Sequence, residues 1–530
     1  MRLPDKFGVR RVLLVFPHYA PSFGTLEFSY PLTDGMCANM PPQGLLVIAA
    51  YLPACWELRF VDEDIRRATA EDFLWAEVVF VSGMHIQRRQ IEDLCQRAHA
   101  FGRAAVLGGS SVSACPHYYP TFDYLHVGEL GDATDELVKR LARDPARPER
   151  QVMLKTLQRH DLTDFPVPRY ELAELKRYFL VSIQFSSGCP YVCEFCDIPN
   201  LYGRNPRLKT PAQITAELDK LLECESSGWL YFVDDNFIGN RKAARELLPH
   251  LIAWQKRNGY PFVFGCEATL NVAKRPEILE LMREASFYGM FCGIETPEPE
   301  ALKAIAKDHN LMVPILDSIT TLNSYGIEVF AGIILGFDTD TPKTGKHLVE
   351  FIDQSKIPIL LINLLQALPV TPLWDRLERA GRIVDDESRE SNVEFLMPYE
   401  QVMTMYRDVM LRVYDPKNVF ARFEHQVKAT YPNRRKREWN ARLINWRNVK
   451  RGLNIISRVV WHVGVRGDYK RVFWKFALRR LIRGDIECVL RVAIGAHHLI
   501  LFTRESTSGR ANASYYSHRD RSDVLAFAAE

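Results

Sequence analysis

Two successive series of short, β-branched apolar segments alternate with helical patterns along this chain, and this alternation restricts its fold more than any other feature. Segments 11–17, 57–62, 77–82, 104–108 and 124–127 read as strands, with helices over 44–52, 90–102 and near 134–141. A strand that recurs after each helix needs a crossover connection, so the expected sheet is parallel with helices on both faces. Ligands in such folds sit beyond the carboxyl ends of the strands. Those ends fall in loops rich in Gly and Ser, at 17–24, 82–85, 108–113 and 128–131, where glycines permit close backbone approach to a bulky ligand.

Residues 146–178 follow as an irregular stretch containing Pro148, Pro166 and Pro168, read as a linker. A second series then places strands at 181–186, 229–233, 263–267, 289–294, 329–334 and 359–362, with helices over 211–222, 241–258, 276–285 and 312–325. Six such repeats predict a partial (β/α)6 barrel with its chemistry at the C-terminal strand ends. From residue 396 the pattern turns helical. The expected fold is therefore α/β, with an N-terminal Rossmann-like domain (1–145), a linker (146–178), a TIM-like partial barrel (179–395) and a helical C-terminal domain (396–530). At 530 residues the chain is too long for one ordinary core.

No uninterrupted apolar run of about 18 residues occurs, and the apolar stretch at 12–17 is too short for a signal peptide. The expectation is a cytoplasmic chain whose 11 cysteines stay reduced. Three of them lie within eight residues, just after a strand: Cys189-Pro-Tyr-Val-Cys193-Glu-Phe-Cys196. Thiolates hold iron–sulfur clusters and zinc alike. A structural zinc needs a fourth ligand, and no further Cys or His follows before Cys224. An iron–sulfur cluster with three protein ligands leaves one iron open to substrate or cofactor.

This spacing, with the aromatic Phe195 before the third cysteine, resembles the radical S-adenosylmethionine (SAM) superfamily. The resemblance implies a 4Fe-4S cluster whose open iron chelates SAM, and one-electron cleavage of SAM to a 5′-deoxyadenosyl radical. Later strand ends match as well. Phe232-Val-Asp-Asp-Asn-Phe237 would offer Asp234, Asp235 and Asn236 to the methionine moiety. Gly332-Ile-Ile-Leu-Gly336, with Ile334 at its centre, is similar to the element that presents backbone to adenine. Glu295, after Gly293-Ile294, resembles the ribose-side element, and Glu267 ends the third strand. Taken singly, Asp and Asn commonly make turns, and a strand glycine commonly relieves packing.

A doubly wound domain ahead of such a barrel resembles the cobalamin-binding class of the superfamily. The matching places are Pro42 and Gly44, Ser82 and Gly83, Gly108 and Gly109, and Gly128 and Glu129. The DxHxxG element that supplies a lower cobalt ligand elsewhere is absent, which leaves His85 and His126 as candidates. The alternative is a domain that binds no cobalamin.

SAM and methylcobalamin together imply radical methyl transfer to an unactivated carbon. Stretches such as MPPQGLLVIAAYLP, CEFCDIPNLYGRNPRLKTP, DDNFIGNRKAA and ARFEHQVKATYPNR resemble the hopanoid carbon-2 methylase group. That resemblance implies methylation of ring A of a triterpenoid lipid, with an electron donor such as flavodoxin or ferredoxin. Action on a tetrapyrrole, an antibiotic precursor or a peptide side chain is the competing expectation.

From residue 401 onward, 26 Lys and Arg stand against 11 Asp and Glu, although the whole chain is only +3. A phosphate-binding surface, an anionic membrane surface, and docking on the acidic body of the chain all fit this asymmetry. Residues 469–482 mix aromatic and cationic side chains as an interfacial helix does, which suggests peripheral contact with the inner face of a membrane; a helix packed on the barrel fits equally. The run Arg434–Arg437 carries no recognisable nucleic-acid fold with it, and no nucleic-acid partner is expected.

Overall fold

The computed structural model describes residues 8–19, 22–312, 314–386, 389–436 and 446–508, with residues 447 and 448 described as backbone only. Its first sheet is built from β1 (Arg11–Phe16), β2 (Glu57–Asp62), β3 (Val78–Ser82), β4 (Ala104–Gly108), β5 (Tyr124–Val127) and β6 (Val152–Lys155). They lie in the order β2-β1-β3-β4-β5-β6, and every pairing is parallel. Both faces are covered. Leu13, Val15, Val79 and Leu107 pack on one side, and Val12, Leu14, Val78 and Val106 on the other. Burial on both faces is why these strands read as continuous apolar runs rather than alternating ones.

The sixth strand comes from the stretch read as linker, so the first sheet extends past residue 145. β6 is an edge strand, paired only with β5, and its residues alternate between half-buried and exposed. A short edge among prolines and charges lacks the apolar run by which the central strands are recognised.

The second sheet comprises β7 (Val181–Ile183), β10 (Gly228–Phe232), β11 (Phe262–Glu267), β12 (Phe287–Glu295), β13 (Glu328–Leu335) and β14 (Ile359–Leu364), in the order β14-β13-β12-β11-β10-β7. All pairs are parallel, and β7 and β14 do not pair with each other, so the barrel is open. Between β7 and β10, the two-residue strands β8 (Ser186–Ser187) and β9 (Arg207–Leu208) form a small antiparallel ribbon. The cysteine loop is held between them.

The C-terminal helices share one apolar core with the barrel. Tyr406 and Tyr414 donate their hydroxyls to the backbone carbonyls of Ile362 and Leu360 on β14. Arg434 pairs with Glu328 at 3.2 Å and also donates to the carbonyls of Gly326 and Tyr288. Arg435 stacks on Tyr260, 3.3 Å from its ring centroid. The described part of the Arg434–Arg437 run thus docks on the body of the chain; Arg437 lies outside the described residues.

Helix Lys470–Leu481 turns Phe473 and Phe476 into this core, with Tyr469 buried just before it. The packed-helix alternative for 469–482 fits these buried aromatics, while Leu478 and Ile482 stay exposed. Helix Ile486–Thr507 is 22 residues long, and an 18-residue stretch of it has a mean hydropathy of 1.5, apolar enough by composition to cross a membrane, although Glu487 and Arg491 interrupt its apolar runs. Of that stretch, 61% is buried inside the chain. His498 reaches the carbonyl of Phe23 at 3.1 Å, and Phe502 packs on the Phe23 ring.

Candidate functional site

The chain leaves β7, passes through β8 and turns at Gly188, whose φ of +100° lies in the left-handed region. A Cβ there would meet the Gly203 carbonyl at 2.7 Å, so the turn demands glycine. Cys189 donates its backbone N–H to the same carbonyl at 3.1 Å, closing the loop that carries all three cysteines. Glu194 fastens the loop from the other side. Its N–H donates to Ile305, its carbonyl accepts from Leu373, and its carboxylate takes a bidentate bond from Arg376. Arg376 also reaches Asp338 at 2.6 Å.

Cys189, Cys193 and Cys196 are half-buried and none is in a disulfide. Burial pushes all three thiols up, Cys196 furthest, while the Lys307 ammonium pulls Cys189 and Cys193 back down. Such thiols ionise only when cationic metal compensates them. Among the described residues, no three His, Cys, Asp or Glu side chains converge on one point as a single ion requires. Three thiols on one loop suit an iron–sulfur cluster that keeps one iron for another ligand.

Lys307, which sequence reasoning did not single out, joins the site in the fold. It lies in an irregular turn after helix Pro299–Ala304, where no motif marks it. It bonds Glu295 at 2.6 Å and stands 5.5 Å from the centre of the Phe195 ring. Glu295 itself adopts a positive φ of +64° at the end of β12. A Cβ on Gly293 would come within 2.3 Å of the Glu295 carboxylate and 2.7 Å of the lysine nitrogen, so the ion pair explains that glycine. Beside it, Gly332 faces Phe291, Ile334 is half-buried, and Gly336 (φ +102°) donates its N–H to Asp340 at 2.7 Å.

At the ends of β10 and β11, Asp234, Asp235 and Glu267 gather without an ion pair among the described residues. Burial raises Asp234 to about 7, Asp235 to about 6 and Glu267 to about 8, and Asp234 and Asp235 add to the rise at Glu267. A concentration of uncompensated carboxyls suits a cationic ligand such as the ammonium of an amino acid. The three residues expected to hold it differ, however. Asp234 is saturated by the N–H groups of Phe185 and Ser186 and the Ser186 hydroxyl, so it positions the start of the cysteine loop. Asp235 accepts from Gly188 N at 2.8 Å and lines the cavity described next. Asn236 is buried, and its Oδ1 has no partner among the described residues.

A cavity of about 320 Å³ lies between the C-terminal strand ends of the two sheets. Gly44, Ser82, Gly108, Gly109, Gly128 and Glu129 wall it from the first domain; Ser187, Tyr202 and Asp235 wall it from the barrel. No atom would lie within 4 Å of a Cβ on Gly44 or Gly108, so both leave room for a ligand. These residues fit a bulky cofactor. Gly109 (φ +97°) and Gly128 (φ +108°) are required instead by their backbone turns. Two expected residues stand back from the cavity. Pro42 caps helix Gln43–Tyr51, and Gly83 packs where a Cβ would strike Ile91 at 2.8 Å.

Glu129 joins the domains, accepting from Ser187 at 3.0 Å, from Arg159 at 3.2 Å, and from Arg207. Neither histidine offers a free nitrogen to the cavity. His126 lines it, but its Nε2 is bonded to Thr134 at 2.8 Å, and burial lowers it to about 4. His85 bonds Ser111 through Nδ1, its buried Nε2 has no partner among the described residues, and it does not line the cavity.

Residues 183–352 match the radical SAM superfamily, and residues 371–512 match a domain of unknown function termed DUF4070. The chain is 63% identical over 512 residues to a hopanoid C-2 methylase of Rhodopseudomonas palustris, covering 97% of each sequence. In fold it is similar to TsrM of Kitasatospora setae, a radical SAM methyltransferase solved with cobalamin and a [4Fe-4S] cluster bound. The TM-score there is 0.55 at 16% identity, over 72% of this chain and 80% of that one. It is likewise similar to OxsB, a cobalamin-dependent radical SAM enzyme, with a TM-score of 0.59 at 12% identity, over 94% of this chain and 80% of that one.

Proposed function

The chain belongs to the hopanoid C-2 methylase family, and from that premise we propose that it methylates carbon 2 of ring A of a hopanoid as a radical SAM, cobalamin-dependent methyltransferase. The observation that carries this reading is the single cavity walled by the strand ends of both sheets. A cofactor seated on the first sheet and a cosubstrate at the barrel mouth meet there without leaving the protein.

When bound, the cluster and SAM supply one-electron hydrogen abstraction, and cobalamin supplies the methyl group. The protein's own part is to hold and orient. Cys189, Cys193 and Cys196 would hold the cluster and leave one iron open to SAM. Asp235 and Glu267 present carboxylates to the methionine ammonium, while Asp234 fixes the loop on which the cysteines stand. The Lys307–Glu295 pair places one positive charge beside the thiolates. Gly44 and Gly108 would leave room for a corrin at the strand ends, and the Glu129–Arg207 contact ties the first domain to the barrel beside it. An apolar surround excludes water, which would otherwise compete for reactive species.

An electron donor of the flavodoxin or ferredoxin type and peripheral contact with a membrane complete the reading, since the substrate is a lipid. The test is mass spectrometry of hopanoids from a host that makes the unmethylated lipid, with and without this gene. A ring-A product heavier by one methylene is expected. An unchanged lipid profile, in cells that supply cobalamin and an assembled cluster, overturns the substrate assignment.

A further inference from the structure

Helix Trp446–Val459 and its π-helical continuation Val460–Val465 leave a row of large apolar side chains uncovered. Trp446 is 77% exposed and Trp461 51%, with Val449, Leu453, Val460 and Val465 exposed along the same element. Val459 and Val463 are turned in and buried. The inner side is fixed by Asn454, which bonds Asp34 at 3.3 Å, and by Arg458, which bonds the Pro31 carbonyl at 3.3 Å. The π turn packs Gly464 under Trp474, where a Cβ would come within 2.9 Å, and it leaves Trp461 and Val465 outward.

The element itself carries charge of one sign, although Asp34 meets its inner side. No Asp or Glu lies between Glu438 and Asp468. Lys450 and Arg451 make no ion pair among the described residues, and Arg466 lies over the Trp461 ring, 5.4 Å from its centroid. A row of Trp, Leu and Val flanked by unpaired cations is the arrangement of an element lying in a membrane interface. Two tryptophans held in water by a folded core point to a surface that is covered in use.

We propose that the Trp446–Val465 face docks on an anionic phospholipid bilayer, its apolar row entering the interface and its cations meeting the headgroup phosphates. This deepens the methylase reading by naming where the lipid substrate is met, but the surface stands on its own observations. Position supports it. The helix rests on the segment 27–34, which leads into helix Gln43–Tyr51, a wall of the interdomain cavity. The docking face is therefore joined to the site by a short stretch of chain. It also differs from 469–482, where Tyr469, Phe473 and Phe476 are buried.

The experiment uses the full-length holoenzyme and vesicles of phosphatidylcholine alone or mixed equally with phosphatidylglycerol. Sedimentation with the mixed vesicles is expected, weakened by salt and by the absence of phosphatidylglycerol. A variant with Trp446→Ser, Leu453→Ser and Trp461→Ser should lose about tenfold or more in partitioning, as should Lys450→Gln with Arg451→Gln. Both should still methylate hopanoid dispersed in detergent. Equal sedimentation of variant and parent overturns the proposal, as does loss of activity on the detergent-dispersed lipid, which would mark the face as structural. Retention on immobilised RNA that exceeds vesicle binding, and falls with the same substitutions, overturns it in favour of a nucleic-acid surface. Vesicle binding by a parent enzyme that leaves hopanoid unmethylated would instead count against the substrate assignment and leave the docking face standing.

Discussion

Lys307 donates to Glu295 across 2.6 Å with both side chains only 9% exposed, and the lysine stands beside all three cluster cysteines. Its charge is held up by Glu295, Cys193 and Cys196 against the cost of its burial. Lys307→Met removes a positive charge next to the cluster and leaves the Glu295 carboxylate buried without a partner. Breaking such a pair costs about 3–5 kcal/mol. The midpoint potential of the cluster should move negative, because a reduced, more negative cluster loses its nearest cation. Redox titration followed by electron paramagnetic resonance checks this, and Lys307→Arg should restore most of the shift. An unmoved potential in a folded Lys307→Met protein would falsify the electrostatic role.

Cys193→Ala should abolish both the iron–sulfur absorbance and the activity of an anaerobically reconstituted preparation, with little loss of fold, since the cysteine loop is also held by Glu194. Full absorbance in that variant would sink the ligand assignment.

Asp234 and Asp235 are neighbours in sequence with different duties. Asp234→Ala strands two buried N–H groups and a hydroxyl, at about 1–3 kcal/mol for each unpaired group, and should lower thermal stability and cluster occupancy together. Asp235→Ala removes one N–H contact and a carboxylate facing the cavity, so its main effect should be on SAM affinity. Calorimetry and differential scanning on the two single variants separate these outcomes. Identical profiles would refute the division.

Burial raises Glu267 to about 8, above its model-peptide value of 4.5. The folded state therefore binds a proton more tightly than the unfolded chain. The corresponding stability is fully present below pH 4.5 and is lost as pH rises through about 8. Without SAM, Glu267→Gln should accordingly gain stability relative to the parent as pH rises from 5 to about 9. SAM affinity should run the other way in the parent, strengthening with pH over the same interval as the carboxyls ionise. Thermal unfolding and isothermal titration across that range test both signs.

Gly108→Leu directs a side chain into open space at the cavity wall. Cobalamin uptake should fall sharply while iron content stays unchanged and stability shifts by no more than about 1 kcal/mol. Undiminished uptake would place the corrin elsewhere.

The order of elements and the cysteine triad were legible in the sequence for physical reasons. Central parallel strands are buried on both faces and must be apolar throughout, so β1 to β5 and the six barrel strands stood out. Three cysteines in eight residues need no tertiary information to imply a shared metal. Local sequence left β6 hidden, because an edge strand has only one neighbour to satisfy. It could not separate Asp234 from Asp235, since how many donors each carboxylate meets depends on the path of a loop some 50 residues earlier. Lys307 carried no local signal, and only the fold brings it to Glu295 and the thiols. The basic C-terminal charge was plain in composition, but whether an aromatic face is buried or free is settled by packing. The tertiary structure turned Phe473 and Phe476 inward and left Trp446 and Trp461 outside, because a helix can bury only the stripe that meets its neighbours.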